Sequence, residues 1–192
     1  VMHRVRKSAY GWQIDNYLGR SVQRNGRLSE WADFWWQRRL LPHLEAACGN
    51  GYASALKPVM DDLHSCTQQL LVHQPEPALL HGDLWSGNQA WLADGRPTVF
   101  DPAPYFGDRE TDLAMMRLFG GFSRAVFDSY EKHWPLPPGA AQREPLYQLY
   151  HLLNHLNLFG DSWLPQVLQV ADQLVKGTRL NQQSSHATGR FT

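Results

Sequence analysis

At 192 residues, with 18 Lys and Arg balanced by 18 Asp and Glu, the chain is long enough for one domain with a real core and has no net field to draw it to nucleic-acid phosphates. No apolar run approaches the ~20 residues that cross a bilayer, and Val1-Met2-His3-Arg4 leads into Arg6, Lys7 and polar sequence and not into a signal-peptide core, so the chain reads as soluble and cytoplasmic with neither membrane nor nucleic acid as partner. Its two cysteines, Cys48 and Cys66, form no Cys-x-x-Cys pair, which excludes a disulfide framework or a structural zinc site.

Between Leu28 and Ala47, Trp31, Phe34, Trp35, Leu41 and Leu44 recur at helical spacing, with Ser29 as the expected N-cap and Pro42 as a point of kinking. A Gly49-Asn50-Gly51 turn leads into a second helix through Leu56, Val59, Met60, Leu63, Cys66, Leu70 and Leu71, closed by Pro75 and Pro77. Ala78-Leu79-Leu80 is extended chain, and His81 to Asn88 is a loop of small and polar residues. Gln89 to Leu92 and Thr98 to Phe100 are β-compatible runs around Asp94-Gly95, a hairpin signal. Pro102 to Gly107 reads as loop. Helices are expected over 111–119 and 122–134, around Gly120-Gly121. After Pro135, Pro137 and Pro138 comes a helix with Leu146, Leu149, Tyr150, Leu153 and Leu156 on one face, then another from Trp163 to Lys176. Residues 181–192 are too poor in apolar side chains to offset the entropy of ordering and are expected to fray.

The chemistry concentrates in the hairpin and the loop before it. A two-residue Asp94-Gly95 turn pairs Ala93 with Arg96 and sets Asn88 directly opposite Asp101, while Pro97, which cannot donate to the ladder, weakens this register and leaves a slipped pairing or a longer loop open. Opposed residues have Cβ atoms roughly 4.5–5.5 Å apart, close enough for an amide oxygen and a carboxylate to share a hard cation such as Mg²⁺. Asp83 lies five positions before Asn88, the Asp-x-x-x-x-Asn spacing of a phosphotransfer catalytic loop. Phosphoryl transfer needs a carboxylate to orient and deprotonate the attacking hydroxyl and cations to neutralise the phosphates. Asp83 suits the first role, Asn88 and Asp101 the second, and His81 reads as structural support for the loop. Asp101-Pro102-Ala103 stands where protein kinases place Asp-Phe-Gly.

These residues bring a family into view. LLHGDLWSGN (Leu79 to Asn88), FDPAPYFGDRETDLAM (Phe100 to Met115) and YGWQIDNYLGRSVQRN (Tyr10 to Asn25) resemble fructosamine kinases (ketosamine-3-kinases), relatives of the aminoglycoside and choline kinases. The resemblance runs to about Lys176. Trp85 and the stretch Gly107 to Asp112 are its more particular part. It implies an ATP-dependent kinase that phosphorylates a sugar hydroxyl of fructosamine- or ribulosamine-type ketosamines, a deglycation repair. Asp83 would then be the catalytic base, and Asn88 and Asp101 would bind Mg²⁺ at the nucleotide phosphates. Trp85 would line the sugar pocket, Asp112 would hold the loop backbone, and Asp15 and Asn16 would lie near the substrate cleft.

The resemblance also sets a fold: mainly α with a small β-hairpin, the C-terminal lobe of a protein kinase-like fold (α+β in the full enzyme), over residues 1–180. No Gly-rich strand-turn-strand with a paired Lys is found, since Gly49-Asn50-Gly51 lies between helices. The expectation is an N-terminal nucleotide lobe missing upstream and weak or no activity without it. Two other readings compete: another small-molecule kinase of aminoglycoside, choline or homoserine type, or a non-catalytic helical interaction module.

Overall fold

The computed structural model describes the backbone of residues 2–188 and the side chains of residues 2–180. It is mostly helical, with three two-stranded antiparallel sheets where a single hairpin was expected. The first sheet pairs β1 (Asn16–Leu18) with β2 (Ser21–Gln23) around a Gly19-Arg20 turn. Three-residue strands set among polar residues carry too little period-2 pattern to be seen in sequence.

Trp31 begins a helical run that reaches Leu70. It consists of α1 (Trp31–Trp35), a π-helical turn over 36–40, α2 (Leu41–Ala47), a second π-type turn over 48–52, and α3 (Ala53–Leu70). The N-cap is Glu30, not Ser29, and no side chain caps the helix. Pro42 does disturb the helix, and the reason is local. Without an N–H it cannot donate to the Arg38 carbonyl. The chain responds by widening: the Leu41 N–H reaches back to the Trp36 carbonyl, and the Arg39 guanidinium donates to the Arg38 carbonyl at 3.0 Å. At Gly51, φ +103° breaks the helical path and turns α3 away from α2.

β3 (Ala78–Leu80) pairs with β6 (Tyr105–Gly107), a strand inside the segment expected to be loop. Its residues are buried, and Phe106 also exchanges backbone hydrogen bonds with Gly11 at 2.8 and 2.9 Å. β6 therefore gains its order from neighbours on both sides. β4 (Gln89–Trp91) and β5 (Pro97–Val99) form the predicted hairpin.

α4 (Glu110–Leu118), α5 (Arg124–His133), α6 (Ala140–Phe159) and α7 (Leu164–Thr188) complete the chain. α6 is the central helix, packed on α2, α4 and α7. Leu146, Leu149, Tyr150, Leu153 and Leu156 are buried as their spacing suggests, but Tyr147, His151, Leu152 and Asn154 are buried as well, so the helix is covered on nearly all sides. Of the tail expected to fray, 181–188 continues the backbone of α7, while 189–192 lies outside the described residues, as do the side chains of 181–188. No helix among the described residues is long and apolar enough to cross a membrane.

A buried polar frame ties α4 to the core. Asp108 accepts from the Tyr147 hydroxyl at 2.7 Å, from His73 Nε2 at 2.8 Å and from the Glu110 N–H at 3.0 Å, so its carboxylate closes the start of α4. Arg143 on α6 donates two parallel hydrogen bonds to Glu110, at 2.7 and 2.8 Å. Both side chains are about 95% buried, and leaving either one alone would strand a charge in the interior. The Gly107 to Asp112 stretch is thus committed to fixing α4, whose first turn carries Asp112.

Candidate active site

The catalytic-loop candidates sit between α4 and the chain that follows β5. Asp112 is 99% buried and accepts three hydrogen bonds: from the His81 N–H at 2.8 Å, the Gly82 N–H at 2.9 Å and His3 Nε2 at 3.0 Å. Burial alone would push its carboxyl up. The hydrogen bond and charge of His3, with the two backbone donors, outweigh that and hold it below the ordinary carboxylate range. Asp112 is a fixed negative post on which the loop hangs.

His81 completes the post. Its Nδ1 accepts from the Asp83 N–H at 3.3 Å, so Nε2 carries the proton and donates to the Phe100 carbonyl at 2.9 Å. The His81 carbonyl accepts from the Ala103 N–H at 2.8 Å. One buried imidazole and its backbone therefore join the loop to both sides of Asp101. The close approach requires glycine at 82: φ is +80°, and a Cβ there would overlap the Ala103 carbonyl. Asp101 itself adopts φ +56°, a left-handed conformation that Asp tolerates better than most residues.

Asn88 donates from Nδ2 to the Asp83 carbonyl at 2.9 Å and to the Asp83 carboxylate at 3.2 Å. The structure thus brings Asp83 and Asn88 together. The hairpin register differs by one from the sequence reading. Gln89 pairs with Val99 and Ala90 with Thr98, so Asn88 faces Phe100, whose N–H donates to the Asn88 carbonyl at 3.1 Å, and not Asp101. The cause is the turn. It has three residues, Ala93-Asp94-Gly95, closed by Leu92 N–H to Arg96 carbonyl at 2.9 Å, with Gly95 at φ +81°. Asp101 lies one residue beyond the Asn88 pair and is exposed.

Burial pushes Asp83 up to about 6; the Asn88 hydrogen bond pulls it down, and the negative charges of Asp112 and Asp101 add to the rise. A carboxyl held there is half ionised close to neutral pH, which is where a general base is effective. It lines a cavity of about 430 Å³ with Trp85, Phe119, His155 and Trp163 along its walls. Trp85 is 40% exposed, and its ring lies over Gly87, where any Cβ would overlap it. Gly19, in the β1–β2 turn, and the α6 residues His151 and Asn154 also line the cavity. Of the lining residues named here, sequence reasoning pointed to Asp83 and Trp85 and missed the others; for His151 and Asn154, polar residues at i and i+3 within a buried helical run were the available signal.

Asp15 and Asn16 do not line this cavity. The Asp15 carboxylate accepts from the Asn25 N–H at 2.7 Å, and Asn16 donates to the Pro104 carbonyl at 2.8 Å. Gln23 donates to Asn16 Oδ1 at 2.7 Å and to the Ala103 carbonyl at 2.9 Å. Both residues belong to a polar layer that holds the segment after Asp101.

The donor set suits a hard cation in one respect that can be read from the side chains. Asn88 uses its NH2 on Asp83, and among the described residues nothing donates to its Oδ1, which leaves an amide oxygen on a side chain bonded to the Asp83 carboxylate. The one group of three close ligand atoms from His, Cys, Asp or Glu among the described residues lies elsewhere, at His73, Asp108 and Glu110, and its acids are committed to Tyr147 and Arg143.

The fructosamine kinase family profile matches residues 1–177. The chain is 44% identical over 180 residues to the probable ketoamine kinase of a Synechocystis strain, covering 92% of this chain and 59% of that protein. To the probable ketoamine kinase YniA of Escherichia coli K12 it is 41% identical over 167 residues, covering 86% and 57%. A crystal structure assigned to a fructosamine-3-kinase of Thermobifida fusca superposes with a TM-score of 0.83 at 34% identity, over 91% of this chain and 61% of that one. The chain thus spans less than two thirds of the length of these relatives, and the expectation of a missing upstream lobe gains no support from a family match that runs through residues 1–177. On the profile match and on these relatives, the chain belongs to the fructosamine kinase family.

Proposed function

We propose that this chain carries the phosphotransfer and acceptor-binding residues of an ATP-dependent kinase that phosphorylates a sugar hydroxyl of ketosamines, within a lobe of the protein kinase-like fold. One observation carries the reading: a carboxyl raised to about 6, hydrogen-bonded by Asn88, at the wall of an aromatic cavity large enough for a sugar. Family membership supports a ketosamine as the acceptor.

In the proposed step the sugar hydroxyl enters the cavity beside Asp83. The Asp83 carboxylate takes its proton as the oxygen attacks the terminal phosphorus of ATP. The new P–O bond forms as the bond to the bridging oxygen breaks, and ADP leaves. Asn88 Oδ1 and the Asp101 carboxylate would hold Mg²⁺, which supplies charge neutralisation at the phosphates. The protein's own contribution is placement: Asp112 and His81 fix the loop, and Asn88 fixes the Asp83 carboxylate. The Trp85 indole face offers the apolar side of a sugar a stacking surface.

The test is a phosphotransfer assay with ATP, Mg²⁺ and a fructosamine or ribulosamine acceptor, run beside choline and an aminoglycoside. Ketosamine-specific turnover that Asp83→Ala abolishes supports the reading. Turnover that survives Asp83→Ala, or that prefers choline or the aminoglycoside, overturns it.

A further inference from the structure

The cavity beside Asp83 holds a polar group that the fold does not use. Asn154 on α6 is 96% buried, its Oδ1 has no hydrogen-bond partner, and no side-chain hydrogen bond of this residue is present among the described residues. Buried amides are nearly always paired, because an unsatisfied polar group forfeits its hydration with nothing in return. A core helix would be better served by Leu at this position. Asn154 nonetheless lines the same cavity as Asp83.

Its surroundings indicate what would satisfy it. One turn earlier, His151 lines the same cavity, also makes no side-chain hydrogen bond among the described residues, and is held neutral, its pKa lowered to about 3 chiefly by burial. His155 is lowered too, by burial, and donates from Nδ1 to the His151 carbonyl at 2.9 Å. Among the described residues, Asp83 is the only Asp, Glu, Lys or Arg lining the cavity. Apart from Asp83, then, the cavity presents neutral hydrogen-bonding groups between aromatic walls. A carboxylate or phosphate on the ligand would find no cation there. A neutral hydroxyl would find an amide that can serve as donor or acceptor after a half-turn of its last torsion.

We propose that Asn154 is a specificity-determining residue that reads the polyol chain of the acceptor, hydrogen-bonding a sugar hydroxyl other than the one phosphorylated. The inference rests on the ketosamine reading above. It assigns the amide to the ligand: no protein group among the described residues pairs with Asn154 Oδ1, and the bound sugar supplies the partner. Such a site rejects a sugar lacking the hydroxyl, because binding it would leave the amide unpaired and dry.

The test is a binding cycle by calorimetry, which needs neither ATP nor turnover. The wild-type chain and Asn154→Leu are titrated with a fructosamine of a simple alkyl amine and with its 4-deoxy and 5-deoxy analogues. Asn154→Leu is expected to melt at a higher temperature than wild type without ligand and to bind the fructosamine about tenfold more weakly. One deoxy analogue should lose about tenfold on wild type and nothing further on Asn154→Leu, the coupling expected of two groups in contact. Unchanged affinity in Asn154→Leu, or additive losses with both analogues, overturns the assignment. If Leu is not accommodated, Asn154→Ala runs through the same cycle with the same criteria. A wild-type chain that binds no ketosamine overturns the proposed function, and this inference with it.

Discussion

Asp83 and Asp112 are held by the same loop, and their environments drive them in opposite directions. Asp112 is the more deeply buried, yet its carboxyl is held below the ordinary range, because His3 and two backbone N–H groups converge on it. Asp83 is the less buried, yet burial raises it to about 6, because only the Asn88 amide among the described residues donates to its carboxylate to offset that, and the charges of Asp112 and Asp101 add to the rise. Burial alone does not decide the charge of a carboxyl; the supply of donors does. On the proposed function, the comparison separates support from chemistry. A group saturated with hydrogen bonds cannot take up a proton usefully, and one starved of them can.

The largest effect is expected from removing the post. Asp112→Ala strands two buried backbone N–H groups and His3, and should cost about 3–5 kcal/mol in denaturant unfolding. The pH dependence has a definite sign. Because its pKa is depressed on folding, the stability that Asp112 contributes is present above the usual carboxylate range and is lost as pH falls through the depressed value. Wild type should therefore lose its advantage over Asp112→Asn in acid. Equal stability of the two at pH 7 would show that the post carries no charge-dependent energy.

Gly82→Ala attacks the joint between post and loop. It adds a Cβ against the Ala103 carbonyl at positive φ, and about 2–4 kcal/mol of destabilisation is expected from chemical denaturation. A crystal structure of a folded variant should show the chain after Asp101 displaced from His81.

Asp83→Asn should go the other way in stability. A raised carboxyl favours folding only while protonated, so its contribution is present below about pH 4 and is lost as pH rises through about 6. Removing the charge should stabilise the chain at pH 7–8 by about 1–2 kcal/mol after solvent screening. The same variant should lose about 10²–10⁴ in phosphotransfer, while wild-type turnover rises with pH through about 6. A stabilised variant with full turnover would separate Asp83 from the chemistry.

The smallest effect is expected on the β4–β5 hairpin. Trp91 is 72% exposed, so Trp91→Ser should change the unfolding free energy of this chain by less than about 0.5 kcal/mol. A larger loss would mean that the hairpin is packed more tightly than its exposure indicates.

Much of this was legible in the sequence where a local rule applied. The α3 pattern from Leu56 to Leu71, the helix of Leu146 to Leu156 and the Asp94-Gly95 turn all announce themselves through periodicity or turn chemistry within a few residues. The hairpin register did not, because two- and three-residue turns both accommodate Asp94-Gly95. The difference of one residue moves Asp101 out of line with Asn88. β6 was hidden for a different reason: its partners, β3 and Gly11, lie far away in sequence.

By itself the sequence determined the helical class, the loop and its spacing from Asp83 to Asn88, and a family resemblance, since each depends on residues close together along the chain. Only the tertiary structure decided that His3 and Asp112, 109 positions apart, share one buried hydrogen bond. It likewise committed Asn16 and Gln23 to the segment after Asp101, and it left Asn154 Oδ1 without a protein partner at the cavity. Local preferences are set by neighbours in the chain. Charge state, polar satisfaction and the walls of a cavity are set by neighbours in space, which a one-dimensional pattern does not encode.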